Sequence, residues 1–236
     1  FLITLGSGNY EQSRKLAASI VSNGENSEIA LVFLAADSTI QKNYAAALDY
    51  VNRLPNDGFG QYTKPLLSAW ALAGLGKIDE ADSILAENAP AADAAYPLNA
   101  ALIHDYLGDV NGAIPGYKAV MQSGLNLNTA LVVTNFFERA HAPEMARVMY
   151  DGMGKFFSFN PFMSSMQSVG NPPPQAYVQS IADGMGLAIF DFAKLLYERH
   201  SYDSAKVYGR LAQMLTPHSP LVQLMMGDVA SARSQY

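Results

Sequence analysis

Apolar residues recur along most of this chain at three- and four-residue spacings, in paired stretches separated by short polar turns. Between residues 27 and 54, Leu31, Leu34 and Ala35 form one such face and Tyr44, Ala47, Leu48 and Val51 form the next. Each half therefore reads as an amphipathic helix, with the turn near Gln41 and Lys42 between them. The same beat returns along the chain. Gly8-Asn9-Tyr10 precedes Ser13, Lys42-Asn43-Tyr44 precedes Ala47, and Gly76-Lys77-Ile78 precedes Ala81. Gly108-Asp109-Val110 then precedes Ala113, His141-Ala142-Pro143 precedes Ala146, His200-Ser201-Tyr202 precedes Ala205, and Ser234-Gln235-Tyr236 closes the series. The first residues of these signs are 34, 34, 32, 33, 59 and 34 apart. A period of roughly 20 to 50 residues marks a stacked-repeat architecture, because a single helix pair cannot bury its own apolar face.

Local chemistry supports the reading. Asn9, Asn43, Asp109 and Ser201 stand just before a second helix, where a side-chain oxygen can accept a free backbone N–H. Gln12 follows Asn9 by three, the spacing of a capping box, and Pro143 suits a first helical position. Two antiparallel helices approach closely only where neither carries bulk, which accounts for Ala47, Ala81, Ala113, Ala146 and Ala205 at one register. Pro115 falls inside a second helix and is expected to kink it. His141 and His200 replace the turn glycine, so those turns must accommodate a side chain.

This unit resembles the tetratricopeptide repeat, with its 34-residue period, Gly-x-aromatic turn, small residue on the second helix, and proline near the unit's end, a role that Pro217 fills. The stretch Pro-Leu-Leu-Ser-Ala-Trp-Ala-Leu-Ala-Gly-Leu-Gly-Lys at 65–77 carries the likeness most clearly and is similar to bacterial, notably proteobacterial, members. The resemblance covers almost the whole chain. It implies an all-α fold, a single α-solenoid over 1–236 in which helix-turn-helix units form a right-handed superhelix. Phe1 falls in the last part of a first helix and Tyr236 where a second begins, so an array cut at both ends is expected.

The period fails at 153–182. There the chain runs through Gly154, Lys155, Phe156, Phe157, Phe159, Pro161, Phe162, Met163 and Met166 to Gly170 and Pro172-Pro173-Pro174. The prolines dictate an extended passage. The aromatic and Met cluster supports two readings: a loop that partners grip, or an insertion that buries its phenylalanines on its own solenoid. Asp183 is expected to cap the next helix, through Leu187, Phe190, Phe192 and Leu196. Gly154-Lys155 is no phosphate loop, because Met149 and Phe156 occupy the places of the required Gly and Ser or Thr.

Composition narrows the function. Apolar residues make up 50% of the chain and charged residues 15%, against roughly 25% charged in an average domain, which leaves a sparsely charged surface of the kind that contacts other proteins. Net charge is −6, from 21 acidic and 15 basic residues, with no basic cluster of the kind a phosphate backbone demands. The chain has no cysteine, which excludes disulfides, thiolate metal sites and thiol catalysis and fits a bacterial cytoplasm or periplasm alike. No charge-free stretch reads as a membrane span. The four histidines, His104, His141, His200 and His218, form no His-x-x-x-His or Glu-x-x-His pair. No nucleophile, base and orienter are gathered by the repeat geometry, so neither catalysis, cofactor nor metal is expected.

In such stacks the first helix of each unit lines the concave side. By register the groove would hold Val32, Leu66, Trp70, Leu98, Leu102, Asn135, Arg139, Phe190, Lys194 and Tyr197. Its apolar start and polar end suit a peptide or helix of a partner protein, and Trp70→Ala is expected to weaken binding more than folding. The same register leaves core packing between neighbouring units open for Trp70 and Leu102. The expected function is a protein-interaction scaffold or adaptor, or a subunit of a larger assembly. RNA binding by related helical repeats and an enzyme on a helical scaffold are the alternatives.

Overall fold

The computed structural model describes residues 1–236 except 26, 90–92, 141, 157–174 and 235–236. The described residues form thirteen helices and no strand. They are α1 (Leu2–Gly6), α2 (Tyr10–Ser22), α3 (Glu28–Ile40), α4 (Tyr44–Asn52), α5 (Gly58–Gly74), α6 (Ile78–Asn88), α7 (Ala95–Tyr106), α8 (Val110–Ser123), α9 (Leu127–Arg139), α10 (Pro143–Phe156), α11 (Ile181–Glu198), α12 (Tyr202–Leu215) and α13 (Pro220–Ser234). The fold is all-α, built of repeat-like helix pairs.

One turn joins the pairs again and again. The amides of Asn9, Asn43, Lys77, Asp109 and Ser201 donate to the carbonyls of Thr4, Ser38, Leu72, His104 and Leu196, at 2.8–2.9 Å. The residue before each of these amides takes a left-handed conformation, with φ of 79° at Gly8, 59° at Lys42, 74° at Gly76, 77° at Gly108 and 60° at His200. This is the Schellman closure, which satisfies the carbonyls a helix end leaves free. Glycine adopts the left-handed state at no steric cost, while Lys42 and His200 adopt it with a Cβ in place. At the fifth turn the Ala142 amide closes the same ring on the Phe137 carbonyl at 3.0 Å. His141 itself, and Gln235 and Tyr236 of the last sign, lie outside the described residues.

Caps then start the second helices. The side chains of Asn9, Asn43 and Asp109 accept the amides of Gln12, Ala46 and Gly112 at 3.0–3.2 Å. Ser201 stands at the cap of α12 without a side-chain hydrogen bond there. A reciprocal capping box forms at Asn126 and Thr129. Asp183 does not start α11: the Ser180 hydroxyl accepts the Asp183 amide at 3.1 Å, and Asp183 lies in the first turn. The extended backbone of Ser180 places the helix start there, which leaves the Asp183 carboxylate to complement the helix dipole. Pro143 opens α10, and α8 continues through Pro115 to Ser123.

The helices fall into two compact units, Phe1–Asn88 with Ser180–Tyr236, and Ala89–Gln179. In the first, α2 through α6 pack in chain order, each on the next. α11 then lies against α5 and α3, α12 against α1 and α3, and α13 against α12. In the second unit, α7 pairs with α8 and α9 with α10, and α8 also meets α9. Gly154–Phe156 belong to α10. The remaining aromatic and proline cluster, from Phe157 through Phe162 and Met166 to Pro174, lies outside the described residues.

The small-residue register holds throughout. Ala47, Ala81, Ala113 and Ala205 have no exposed area and Ala146 has 2%, and Ser13, the equivalent in the first pair, is buried too. Ala81→Leu therefore inserts three carbons into a closed crossing of α5 and α6. It should lower the unfolding free energy by about 1 to 3 kcal/mol in a denaturant titration, with the m-value unchanged.

Candidate functional site: the inner face of the first helices

Within the first unit, the residues expected to line the groove are covered. Val32, Leu66 and Trp70 have no exposed area, and Phe190 has 4%. The element that covers Trp70 is α11. A Cβ built on Gly184 would sit 2.3 Å from the Trp70 ring, and one on Gly186 would sit 2.6 Å from the Thr216 methyl. Two glycines one residue apart thus let α11 lie close to α5 on one side and to α12 on the other. Met185, between them, is fully buried with its sulfur 3.3 Å from the Thr39 hydroxyl of α3, which also donates to the Ala35 carbonyl.

Beside this crossing an aromatic cluster ties α11 and α12 to α5. The Phe59 ring meets Phe192 edge-on and stacks on Tyr208, at 4.5 Å between centroids in both cases. Such geometries follow from the ring quadrupole. The Tyr208 hydroxyl donates to the Glu28 carboxylate at 3.1 Å. Burial, then the Glu28 charge, pushes the Tyr208 phenol up, so it stays a neutral donor. Burial also raises the Glu28 carboxyl, with Tyr208 opposing the shift and Asp57 adding to it.

Trp70 is accordingly a core side chain in this arrangement, a packing role that its register left open. The reason is long-range: its neighbour is a helix more than a hundred residues downstream. Lys194 and Tyr197, also on α11, face elsewhere. Lys194 pairs with Glu198 at 3.2 Å, and the Tyr197 ring lies 5.7 Å from Tyr202. At the same end His200 Nδ1 is 2.7 Å from the Tyr202 hydroxyl.

The second unit gathers the polar residues of the expected groove. Arg139 on α9 pairs with Asp105 on α7, and its Nε donates to Asn135 Oδ1 at 3.0 Å. Tyr117 of α8 donates to the same Asp105 carboxylate at 3.0 Å. Burial and that carboxylate raise the Tyr117 phenol well above its usual range. Asn135 Nδ2 then donates to the Gln175 carbonyl at 2.9 Å. A buried ion pair needs its remaining hydrogen bonds filled to offset desolvation, and here Tyr117 and Asn135 fill them. Leu98 and Leu102 are buried beneath, with 2% and no exposed area.

Sequence reasoning missed Gly184, Gly186 and Tyr117. The Gly-x-Gly step inside an apolar helical run was the available signal for close approach. It also missed Arg14, which grips Asp37 of the apolar α3 through Nε and Nη2 at 2.7 and 2.5 Å. Acid–base chemistry is thin. His104 Nδ1 lies 2.9 Å from Asp109, whose carboxyl is held below its usual range first by the Gly112 amide and then by His104. That pair belongs to a helix cap. A shallow open groove beside α6 is lined by Leu72, Ile84, Ser83, Asp79, Glu80 and Glu87. Among the described residues no group of His, Asp or Glu could hold a metal ion, and no helix is long and apolar enough to cross a membrane.

Searches of protein-family models, curated proteins and solved structures found no match for this chain.

Two measurements check the first unit. Trp70→Ala should cost about 3 to 5 kcal/mol of unfolding free energy, because it opens a cavity that the α11 backbone cannot collapse into. Glu28, whose folded-state pKa is raised, should weaken the fold as pH climbs from the usual carboxylate range through that raised value. Glu28→Gln keeps an acceptor for Tyr208 and removes this slope. Its stability relative to wild type should therefore rise with pH across that window and then level off, in denaturant titrations from about pH 4 to 7.

Proposed function

We propose that this chain is a non-catalytic protein-interaction scaffold, a tetratricopeptide-like α-solenoid that holds a helix or extended segment of a partner protein, alone or as a subunit of a larger assembly. One observation carries the reading. α11 packs on α3 and α5 with Gly184 against the Trp70 ring, so these helices offer a face complementary to a helix. Helix-in-groove recognition uses the same physics, an apolar stripe laid into a complementary channel.

The repeated Schellman turn and the buried small residue at each crossing support a tetratricopeptide-like unit. In the second unit, Asn135 and Arg139 are part-exposed and polar. The net charge of −6 favours a protein over a nucleic acid, whose phosphates demand basic residues.

The immobilised chain should retain a discrete protein from extract, with retention little changed between about 0.1 and 1 M salt. Retention of RNA that fades as salt rises would replace this reading with the nucleic-acid one.

A further inference from the structure

We propose that Asn23 is a site of spontaneous covalent modification, at which the side-chain amide is lost, an aspartyl or isoaspartyl residue forms, and the end of α2 loosens. The inference is independent of the scaffold reading.

An asparagine followed by glycine is chemically labile, because no Cβ on the second residue shields its backbone nitrogen. After losing its proton, the Gly24 nitrogen attacks Asn23 Cγ. The new C–N bond closes a cyclic imide, and the Cγ–Nδ2 bond breaks as that nitrogen takes up a proton and leaves as ammonia. Water then opens the imide. Opening at Cγ gives an aspartyl residue, and opening at the backbone carbonyl carbon gives an isoaspartyl residue, whose main chain is one methylene longer. One water enters and one ammonia leaves, so no oxidant or other reagent is needed.

The chain holds two such dipeptides, Asn23-Gly24 and Asn111-Gly112, and the fold treats them differently. Asn111 lies in the first turn of α8, where the Gly112 amide donates to the Asp109 carboxylate at 3.0 Å. A Cβ on Gly112 would sit 2.3 Å from both that carboxylate and His104 Nδ1. The Gly112 nitrogen is therefore engaged and enclosed, and its attack requires the cap of α8 to come apart. Asn23 instead follows the last residue of α2, and both it and Gly24 are exposed. The Gly24 amide reaches the Val21 carbonyl at 3.3 Å, the Glu25 amide reaches the Ile20 carbonyl at 3.2 Å, and a Cβ on Gly24 would meet nothing within 4 Å. Fraying of a final helical turn is enough to free this nitrogen, and such openings are among the least costly in a fold.

The products act on the same turn. Gly24 closes α2 in the left-handed state, with φ of 81°, and the extra methylene of an isoaspartyl residue takes the Gly24 and Glu25 amides out of register with Val21 and Ile20. Either product also adds a negative charge at the C-terminal end of α2, where the helix dipole disfavours one.

The test follows amide loss by peptide mass spectrometry, with aspartyl and isoaspartyl products separated, while the whole chain is held in mildly alkaline buffer. In the folded protein Asn23 should convert at least about tenfold faster than Asn111, and in denaturant the two rates should come together, because local opening no longer separates them. Asn23→Gln should lack the early product. In the converted protein the amides of residues 20–25 should exchange with solvent faster than before, with those of α8 unchanged. Asn111 converting as fast as Asn23 in the folded protein overturns the proposal, as does a preference for Asn23 that persists undiminished in denaturant. Unchanged exchange at residues 20–25 after conversion overturns the loosening of α2.

Discussion

Two helices can approach only as closely as the bulkiest side chain at their crossing allows, and this chain meets that limit with small residues at several of its helix contacts. Ala47, Ala81, Ala113, Ala146 and Ala205 do so within pairs. Gly184 and Gly186 do so where α11 is wedged between α5 and α12. The energetic return is contact density: interiors are packed like organic crystals, and a gap of half an ångström already forfeits a good part of the dispersion well. Close crossings also bring large neighbours into full burial. Trp70, Tyr117 and Phe33 are among the largest side chains with no exposed area, and each lies on a helix that another helix approaches closely.

The few buried charges obey the same geometry. Asp37 and Asp105 both sit near the C-terminal end of a first helix, and each is met by an arginine from another helix, Arg14 and Arg139. Each has a second donor as well, Gln41 for Asp37 and Tyr117 for Asp105. A carboxylate in such a place would cost several kcal/mol if left alone, roughly the penalty of an uncompensated buried ion. Supplied with a guanidinium and a further donor, it becomes a directional link between one helix pair and the next. Two ion pairs thus help fix register between helix pairs, while the apolar crossings supply most of the burial.

What could be read from the sequence divides along the same line between local and distant. The turns, the caps at Asn9, Asn43 and Asp109, and the buried alanines follow from interactions within five residues or from the 34-residue register, and so they were legible. The αL state at Lys42 and His200 was foreshadowed by their alignment with Gly8, Gly76 and Gly108, because the turn geometry outweighs a modest steric cost. The fate of Trp70 was not legible. Periodicity places a side chain on a face of its helix but cannot name what covers that face, and here the cover is a helix more than a hundred residues later in the sequence. The start of α11 was missed by three residues for a related reason: Ser180 and Asp183 are both good caps, and the extended backbone at Ser180 decides between them. Of the expected groove residues, Asn135 and Arg139 come together with Asp105, while Lys194 instead joins Glu198.

This division bears on how the first unit acquires its stability. Helices α2 to α6 can pair through contacts between chain neighbours, which form early because little loop entropy opposes them. Trp70 is completed only when residues 180–236 arrive, since Gly184 lies against its ring. Loop-closure entropy grows only logarithmically with length, and each doubling costs roughly 0.6 kcal/mol, so the long separation is a small penalty against the burial of Trp70 and its neighbours. The larger consequence concerns cooperativity. In an open stack stability is close to a sum of neighbour terms, and the ends fray independently of the middle. Here α11 touches α3 and α5, and α12 touches α1 and α3, so one hairpin spans three successive pairs. Fraying at α1 and loosening at α5 are thereby coupled through a single element.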